Sequence, residues 1–441
     1  MIDTSNVLNK RYMNKQFFNI ISLVFFTYSG FVFSQQLSKN NVDGDSSVTV
    51  TFSVVGDVMC HSTQFNYALR EDSTYDFKPV YRKIKKYFDN SDVVIGNLET
   101  VVAGKDIEYS GYPVFNTPED FLKGLKYAGF DILVTGNNHS YDHQKKGILN
   151  TIDFIRENGM KNTGTYKSQE ERDSVQLFEQ SGLKFALLSY TYGVNLYRIP
   201  EKNKFLVNRI NPELIKHDIE KAKSKGADLV IIYFHFGKEY ARTENRYQRN
   251  IVDKTIGFGA DIILGAHPHT LQPVEFYKTV DANIDTGFVA FSLGNFISNQ
   301  RWRYSDGGTV LNFSVTKDFK TNTIKLDAVR YLPIWIFKGV TSWGLEYLIL
   351  PSDIAADNSY PSYFTEEDKE LMLQCYNDTK ELMESRTKYI VLDSIDKSAY
   401  RKWKIEQEKF ISFIAKIPYK PDNPKSFVVK ADSLEFFNQK D

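Results

Sequence analysis

The chain has 441 residues, and its 55 Lys plus Arg balance 55 Asp plus Glu, so the net charge is zero. That balance excludes the broadly basic surface needed for non-specific nucleic-acid binding, and 42% hydrophobic against 25% charged residues excludes wholesale disorder. The two cysteines, Cys60 and Cys375, form no CxxC pattern, which excludes a thiolate zinc site and a disulfide-stapled scaffold.

Lys10, Arg11 and Lys15 precede an apolar stretch from Phe17 to Phe33 that ends at Ser34-Gln35. A basic start, an apolar centre and a small polar end describe an export signal or an uncleaved anchor over residues 1–35. Either places the folded part outside the cytoplasmic membrane, periplasmic or anchored on its outer side. Residues 36–47 are polar and read as a linker. From Val48 onward, apolar runs and helical patterns alternate. Strands are expected at Val48–Val55, Val93–Leu98, Ile132–Thr135, Phe185–Tyr190, Leu229–Phe234, Ile262–Leu264, Phe288–Leu293, Thr309–Val315 and Ile324–Tyr331. Helices are expected between them, for example from Thr117-Pro118-Glu119 to Ala128 and from Pro212 to Lys225, each followed by a glycine. This order predicts an α/β domain over residues 48–335 with helices covering the sheets. Residues 336–441, with charged amphipathic patterns at Thr365–Glu384 and Arg401–Ile417, read as an appended helical region.

The expected strands end repeatedly in residues that bind metals or move protons: Asp57, Glu99, Asn138-His139, His235, and His267 with His269. In α/β sheets ligands collect beyond the carboxyl ends of strands. Carboxylates and imidazoles converging there are costly to bury without a cation, and a set free of cysteine suits Zn, Mn or Fe. Lys238, Arg242 and Arg246 follow His235, and Arg301 and Arg303 follow the expected strand Phe288–Leu293; all are candidates to receive an anionic substrate. The aromatics Tyr112, Trp302 and Tyr304 are expected to pack in the core.

Gly56-Asp57-Val58-Met59, Asn97-Leu98-Glu99, Asn137-Asn138-His139-Ser140-Tyr141-Asp142, His235-Phe236-Gly237-Lys238-Glu239-Tyr240, Gly265-Ala266-His267-Pro268-His269 and Ser292-Leu293-Gly294-Asn295-Phe296 occur in this order. Together, over Val48 to Leu332, they resemble the CapA/PgsA family of poly-γ-glutamate capsule biosynthesis proteins, relatives of the calcineurin-like metallophosphoesterases. The resemblance implies a four-layer αββα sandwich, here with a C-terminal helical extension. It implies that Asp57 is a first metal ligand and that Glu99 bridges two metals. Asn138, His235 and His267 would hold one ion and His269 the other. His139 would protonate a leaving group, oriented by Asp142. Met59 stands where the larger superfamily has a ligand histidine, which leaves a mononuclear site open, with His61 as a substitute. The implied function is a metal-dependent hydrolase of a phosphoester or amide, acting on an anionic polymer such as poly-γ-glutamate. The alternative is a non-catalytic polymer-binding component. In either case the partners implied are the polymer and membrane synthesis or export machinery.

Overall fold

The computed structural model describes residues 46–387, 389–393 and 407–417. The expected export signal or anchor and most of the linker lie outside the described residues. In chain order the strands are β1 (Ser47–Val58), β2 (Val93–Leu98), β3 (Ile132–Val134), β4 (Lys161–Thr163), β5 (Leu177–Gln180), β6 (Leu183–Thr191), β7 (Leu229–His235), β8 (Ile262–Ala266), β9 (Leu271–Lys278), β10 (Thr286–Leu293), β11 (Asn295–Ile297), β12 (Gly307–Asp318), β13 (Thr323–Thr341), β14 (Gly344–Pro351) and β15 (Val391–Leu392). The helices are α1 (Ser62–Ala68), α2 (Lys78–Tyr81), α3 (Lys85–Phe88), α4 (Asp120–Ala128), α5 (Gln144–Glu157), α6 (Gln169–Asp173), α7 (Pro212–Ser224), α8 (Arg246–Gly257) and α9 (Glu366–Glu384).

One sheet runs β14-β13-β12-β1-β2-β3-β4, with β11 beside β1 and β15 beside β13; the other runs β5-β6-β7-β8-β10-β9. Alternation along the strands explains why both sheets are covered on both faces. Val50, Phe52 and Val54 of β1 meet Phe185 of β6 and Ile231 and Tyr233 of β7 in a core between the sheets. On the outer face, Val94 and Leu98 of β2 pack under Phe121, Leu122 and Leu125 of α4. Val230, Ile232 and Phe234 of β7 pack under Ile215 and Ile219 of α7 and Val252 and Ile256 of α8. The result is the expected helix–sheet–sheet–helix order. The helices are bounded as the sequence indicates: Asn211 caps α7 ahead of Pro212, and Asn245 and Gln248 form a capping box on α8.

β1, β2, β3 and β4 are parallel, as are β6, β7, β8 and β10. Their carboxyl ends therefore gather at one end of each sheet. β9 was not anticipated; its Pro273 is tolerated because β9 is an edge strand.

The C-terminal part differs from the expected helical extension. β13 runs through the expected boundary at residue 335, and β14 and β15 both pair with it. Residues 336–351 thus complete the first sheet. α9 packs Met372 and Cys375 against Trp335 and Phe337 of β13. The helical residues 407–415 bring Phe410 and Ile414 into the core between the sheets. Apolar strand residues next to helical patterns do not announce their pairing partner, which is why the extension read as separate.

A four-charge cluster ties this part to the second sheet. Arg386 and Arg249 both bridge Glu244 and Glu275, with Arg386 Nη2–Glu244 Oε2 at 2.8 Å and Arg249 Nη1–Glu275 Oε2 at 2.7 Å. Glu275 is 4% and Arg386 28% exposed. Arg386→Ala leaves the two carboxylates sharing one guanidinium, and is expected to cost about 2 kcal/mol, below the range for fully buried pairs because Arg386 keeps some solvent. Urea unfolding of parent and variant measures it, and an unchanged midpoint would refute it.

Candidate metal centre

Asp57 lies at the end of β1, where the pairing register with β2 shifts between Val55 and Asp57. Such an irregularity re-aims the strand end. Gly56 is required there: a Cβ on it would sit 2.0 Å from the Gly294 carbonyl oxygen, and Asp57 N donates to that same oxygen at 2.9 Å. The close approach brings Asn295 beside the centre. Glu99 follows β2, Asn138 follows β3, His235 ends β7, and His267 and His269 follow β8. Asp57, Glu99 and Asn138 come from one sheet and the three histidines from the other. His267 and His269 both adopt positive φ, +98° and +57°. That backbone is strained for residues with a Cβ, and such strain persists where surroundings impose it. Here His267 N donates to both Asp57 carboxylate oxygens at 3.3 Å.

All six residues converge. Glu99, His235 and His267 form one group whose ligand atoms lie within 4.8 Å of one another, and Asp57, Glu99 and His269 form a second. Glu99 belongs to both. Asn138 Oδ1 joins the first group, 2.8 Å from His235 Nε2, which is itself 3.5 Å from Glu99 Oε1. His269 lies between carboxylates, with Nδ1 2.9 Å from Asp57 Oδ2 and Nε2 3.8 Å from Glu99 Oε1. Asn295 Oδ1 is 3.2 Å from His269 Nδ1.

The donor set fits divalent cations. Both Glu99 carboxylate oxygens and His267 Nδ1 are buried without a hydrogen-bond partner. Orphaned carboxylate oxygens are rare because their desolvation is uncompensated. Burial, and then the charge of Asp57, pushes the Glu99 carboxyl well above its ordinary range. Burial also pushes the Asp57 carboxyl up, but hydrogen bonding and charge from His269, with a hydrogen bond from Asn97, outweigh it and leave it lowered. Burial and the charge of His269 push His267 down to about 3, and burial with the charge of His267 pushes His235 well down. Neutral imidazoles beside carboxylates are the form that ligates metal.

His139 stands at the edge. Its Nδ1 donates to Asp142 Oδ2 at 2.8 Å, and Asn195 Nδ2 donates to its Nε2 at 3.3 Å. Asp142 Oδ2 also accepts from Phe115 N at 2.9 Å. A carboxylate fixed in this way holds the imidazole tautomer and orientation.

Other expectations change. His61 is not in either ligand group; its Nδ1 lies 3.1 Å from Gln64 Oε1 at the start of α1 and accepts from Asn299 N at 3.3 Å. Met59 is buried, its Sδ accepting from Ser298 Oγ at 3.7 Å, so the second group keeps a single imidazole. Arg242 and Arg301 each spend one N–H donor on a main-chain carbonyl. Arg242 donates to the Asp378 carbonyl of α9 at 2.7 Å and stacks on Tyr304, and Arg301 donates to the Ile336 carbonyl at 2.8 Å. Arg303 pairs with Asp378 at 2.9 Å. Lys238 and Arg246 are exposed. Tyr112 and Trp302 are not core residues: they are 71% and 52% exposed, Tyr112 beside His139 and Trp302 against Tyr240.

Sequence reasoning passed over Asn97, Tyr192 and Asn195. Asn97 Nδ2 links Asp57 Oδ1 at 2.8 Å to His235 Nδ1 at 3.1 Å. Tyr192 lays its ring 4.6 Å from that of His267. The available signal was position, since Tyr192 directly follows a parallel strand, but the segment carries no acid or histidine.

A family model described as bacterial capsule synthesis protein PGA_cap matches residues 51–300. A capsule biosynthesis protein CapA from Bacillus anthracis is 30% identical over 277 residues, covering 60% of this chain and 63% of that protein, less than two thirds of its length. A PGA biosynthesis protein CapA from Bacillus subtilis (strain 168) is 27% identical over 312 residues, covering 70% and 79%. Among solved structures, the NAD nucleotidase of Haemophilus influenzae aligns at 14% identity and a TM-score of 0.42, covering 82% of this chain and 68% of that one.

Proposed function

The chain belongs to the bacterial capsule synthesis protein family, and from that premise we propose that it is an extracytoplasmic, metal-dependent hydrolase acting on an anionic envelope polymer of the poly-γ-glutamate kind. The observation that carries the hydrolase reading is Glu99, a fully buried carboxylate without a hydrogen-bond partner, shared by two ligand groups. Glu99, His235, His267 and Asn138 would hold one divalent ion, and Asp57, Glu99 and His269 a second. Such ions, when bound, supply Lewis acidity toward an oxygen of the scissile phosphoester or amide.

The rest is the work of the chain. Asn97 holds Asp57 and His235 in register through one amide. Tyr192 screens His267 from water. His139, once protonated at Nε2, delivers that proton to the leaving group while Asp142 holds Nδ1 and stabilises the imidazolium. A site that only held structure or bound carboxylates would have no need of this pair. Met59, at the position of a missing imidazole ligand, favours the second reading of a non-catalytic polymer-binding component.

One experiment separates the two. Elemental analysis of the purified protein is expected to find close to two divalent ions per chain. His139→Ala should keep the metal while cleavage of a phosphodiester or of poly-γ-glutamate falls by about 10²- to 10⁴-fold. A folded protein that takes up no Zn, Mn or Fe would end the hydrolase reading. A metal-loaded protein that cleaves neither substrate would favour the binding component.

A further inference from the structure

The segment between β6 and α7 faces two ways. On one side, Tyr192 covers His267 and Asn195 donates to His139 Nε2. On the other, Val194, Tyr197 and Arg198 line a groove of about 700 Å³. Arg172, Lys204 and Arg209 also line it, as do two acids, Asp173 and Glu201.

The charges there do not cancel. Arg172 is buried and bridges Asp218 at 2.5 Å and Asp173 at 3.0 Å. Lys204 pairs with Glu201 at 2.5 Å. Both groove acids are therefore already paired. Among the described residues, no carboxylate pairs with Arg198 or Arg209. Arg209 Nη2 instead donates to the carbonyl of Tyr192 at 3.4 Å. That bond places a guanidinium without a carboxylate on the residue that covers the metal centre, so the groove and the centre share one wall.

We propose that this groove is a subsite for an extended polycarboxylate chain, with successive carboxylates on Arg198 and Arg209 while a neighbouring unit of the same chain lies at the metal centre. Guanidinium groups receive carboxylates through paired N–H donors. Val194, Ile199 and Phe205 on the walls suit the methylene stems between the carboxylates. A neutral glycan would leave both cations without a partner. A nucleic acid would call for a wider basic surface than two residues. The assignment rests on the reading that the centre serves an anionic polymer, but it does not require hydrolysis.

The test is binding of a fluorescent oligoglutamate and of glutamate dimer to the full chain after chelation, measured by anisotropy. The parent should bind the oligomer more tightly than the dimer. Arg198→Ala with Arg209→Ala should weaken the oligomer by about tenfold without changing the thermal midpoint or the metal taken up afterwards. Arg198→Lys with Arg209→Lys should recover part of the affinity, because charge without the planar fork remains. Equal binding by parent and the alanine double variant, no binding by the parent, or equal displacement by oligothymidylate would each overturn the subsite. Metal uptake by the parent keeps the two failures apart. If the parent takes up no metal and still binds the oligomer, the groove stands without the hydrolase. If the parent cleaves a phosphodiester but never binds oligoglutamate, the centre stands without the groove.

Discussion

Glu99→Gln is expected to abolish metal uptake and, in the chelated protein, to raise stability at neutral pH by on the order of 2 kcal/mol. The reason is the same in both cases. Glu99 is fully buried, with neither oxygen hydrogen-bonded and with Asp57 near enough to raise its pKa. Bound cations would compensate that charge; after chelation the carboxyl avoids being an unpaired buried anion only by taking up a proton. The raised pKa means that the folded, metal-free chain holds a proton that the unfolded chain releases above the ordinary value of 4.5. The stability this proton supports is complete below that value and is lost as pH rises through the folded pKa. Glutamine removes the dependence. His267 acts in the opposite sense: pushed down to about 3, it costs stability as pH falls from 6.5 toward 3. Since both proteins carry His267, subtracting their unfolding free energies across pH 4–8 isolates Glu99 in that comparison. The difference should grow with pH. A difference that is flat, or that favours the parent at pH 8, would show that the carboxylate has a partner in the folded chain.

Truncation after Leu332 is expected to yield no folded protein. The cut falls inside β13 and removes β14, α9 and the helical residues 407–415. Ile334, Trp335, Ile336, Phe337, Tyr347, Leu348, Ile349 and Leu350 are all buried. At about 1.5–3 kcal/mol for each large apolar side chain, their loss is on the order of the net stability of a whole domain, about 5–15 kcal/mol. The truncated chain would also lose the β13 residues that pair with Gly307, Gly308 and Thr309 of β12, and the carbonyl acceptors of Arg242 and Arg301. Expression of residues 46–332 followed by near-ultraviolet circular dichroism and urea titration tests this. A soluble product with a cooperative transition would mean that the C-terminal part is an appendage after all.

The candidate ligand positions were legible because each lies at or just beyond the end of an apolar run. A strand fixes the direction of the residue at its end, and parallel strands put those ends together, so Asp57, Glu99, Asn138, His139, His235, His267 and His269 could be named as candidates from local pattern, while their separate roles came only from the resemblance. Helix boundaries were legible for a similar reason, as with Asn211 and Pro212 at α7, where the cap chemistry is local.

What tertiary structure decided is what depends on partners distant in the chain. The sharing of Glu99 between two groups requires both sheets to face each other across the centre. The engagement of Arg242 by α9 and of Arg301 by β13 depends on contacts 136 and 35 residues away, and no run of charge foretells that. Tyr192 and Asn195 matter through what they cover, and Arg198 and Arg209 stand out because neighbouring cations have taken the acids of the groove. Residues 336–351 belong to the sheet because β13 continues and β14 pairs with it. Strand pairing is a contact through space, so an apolar run shows that a segment will be buried but not against what.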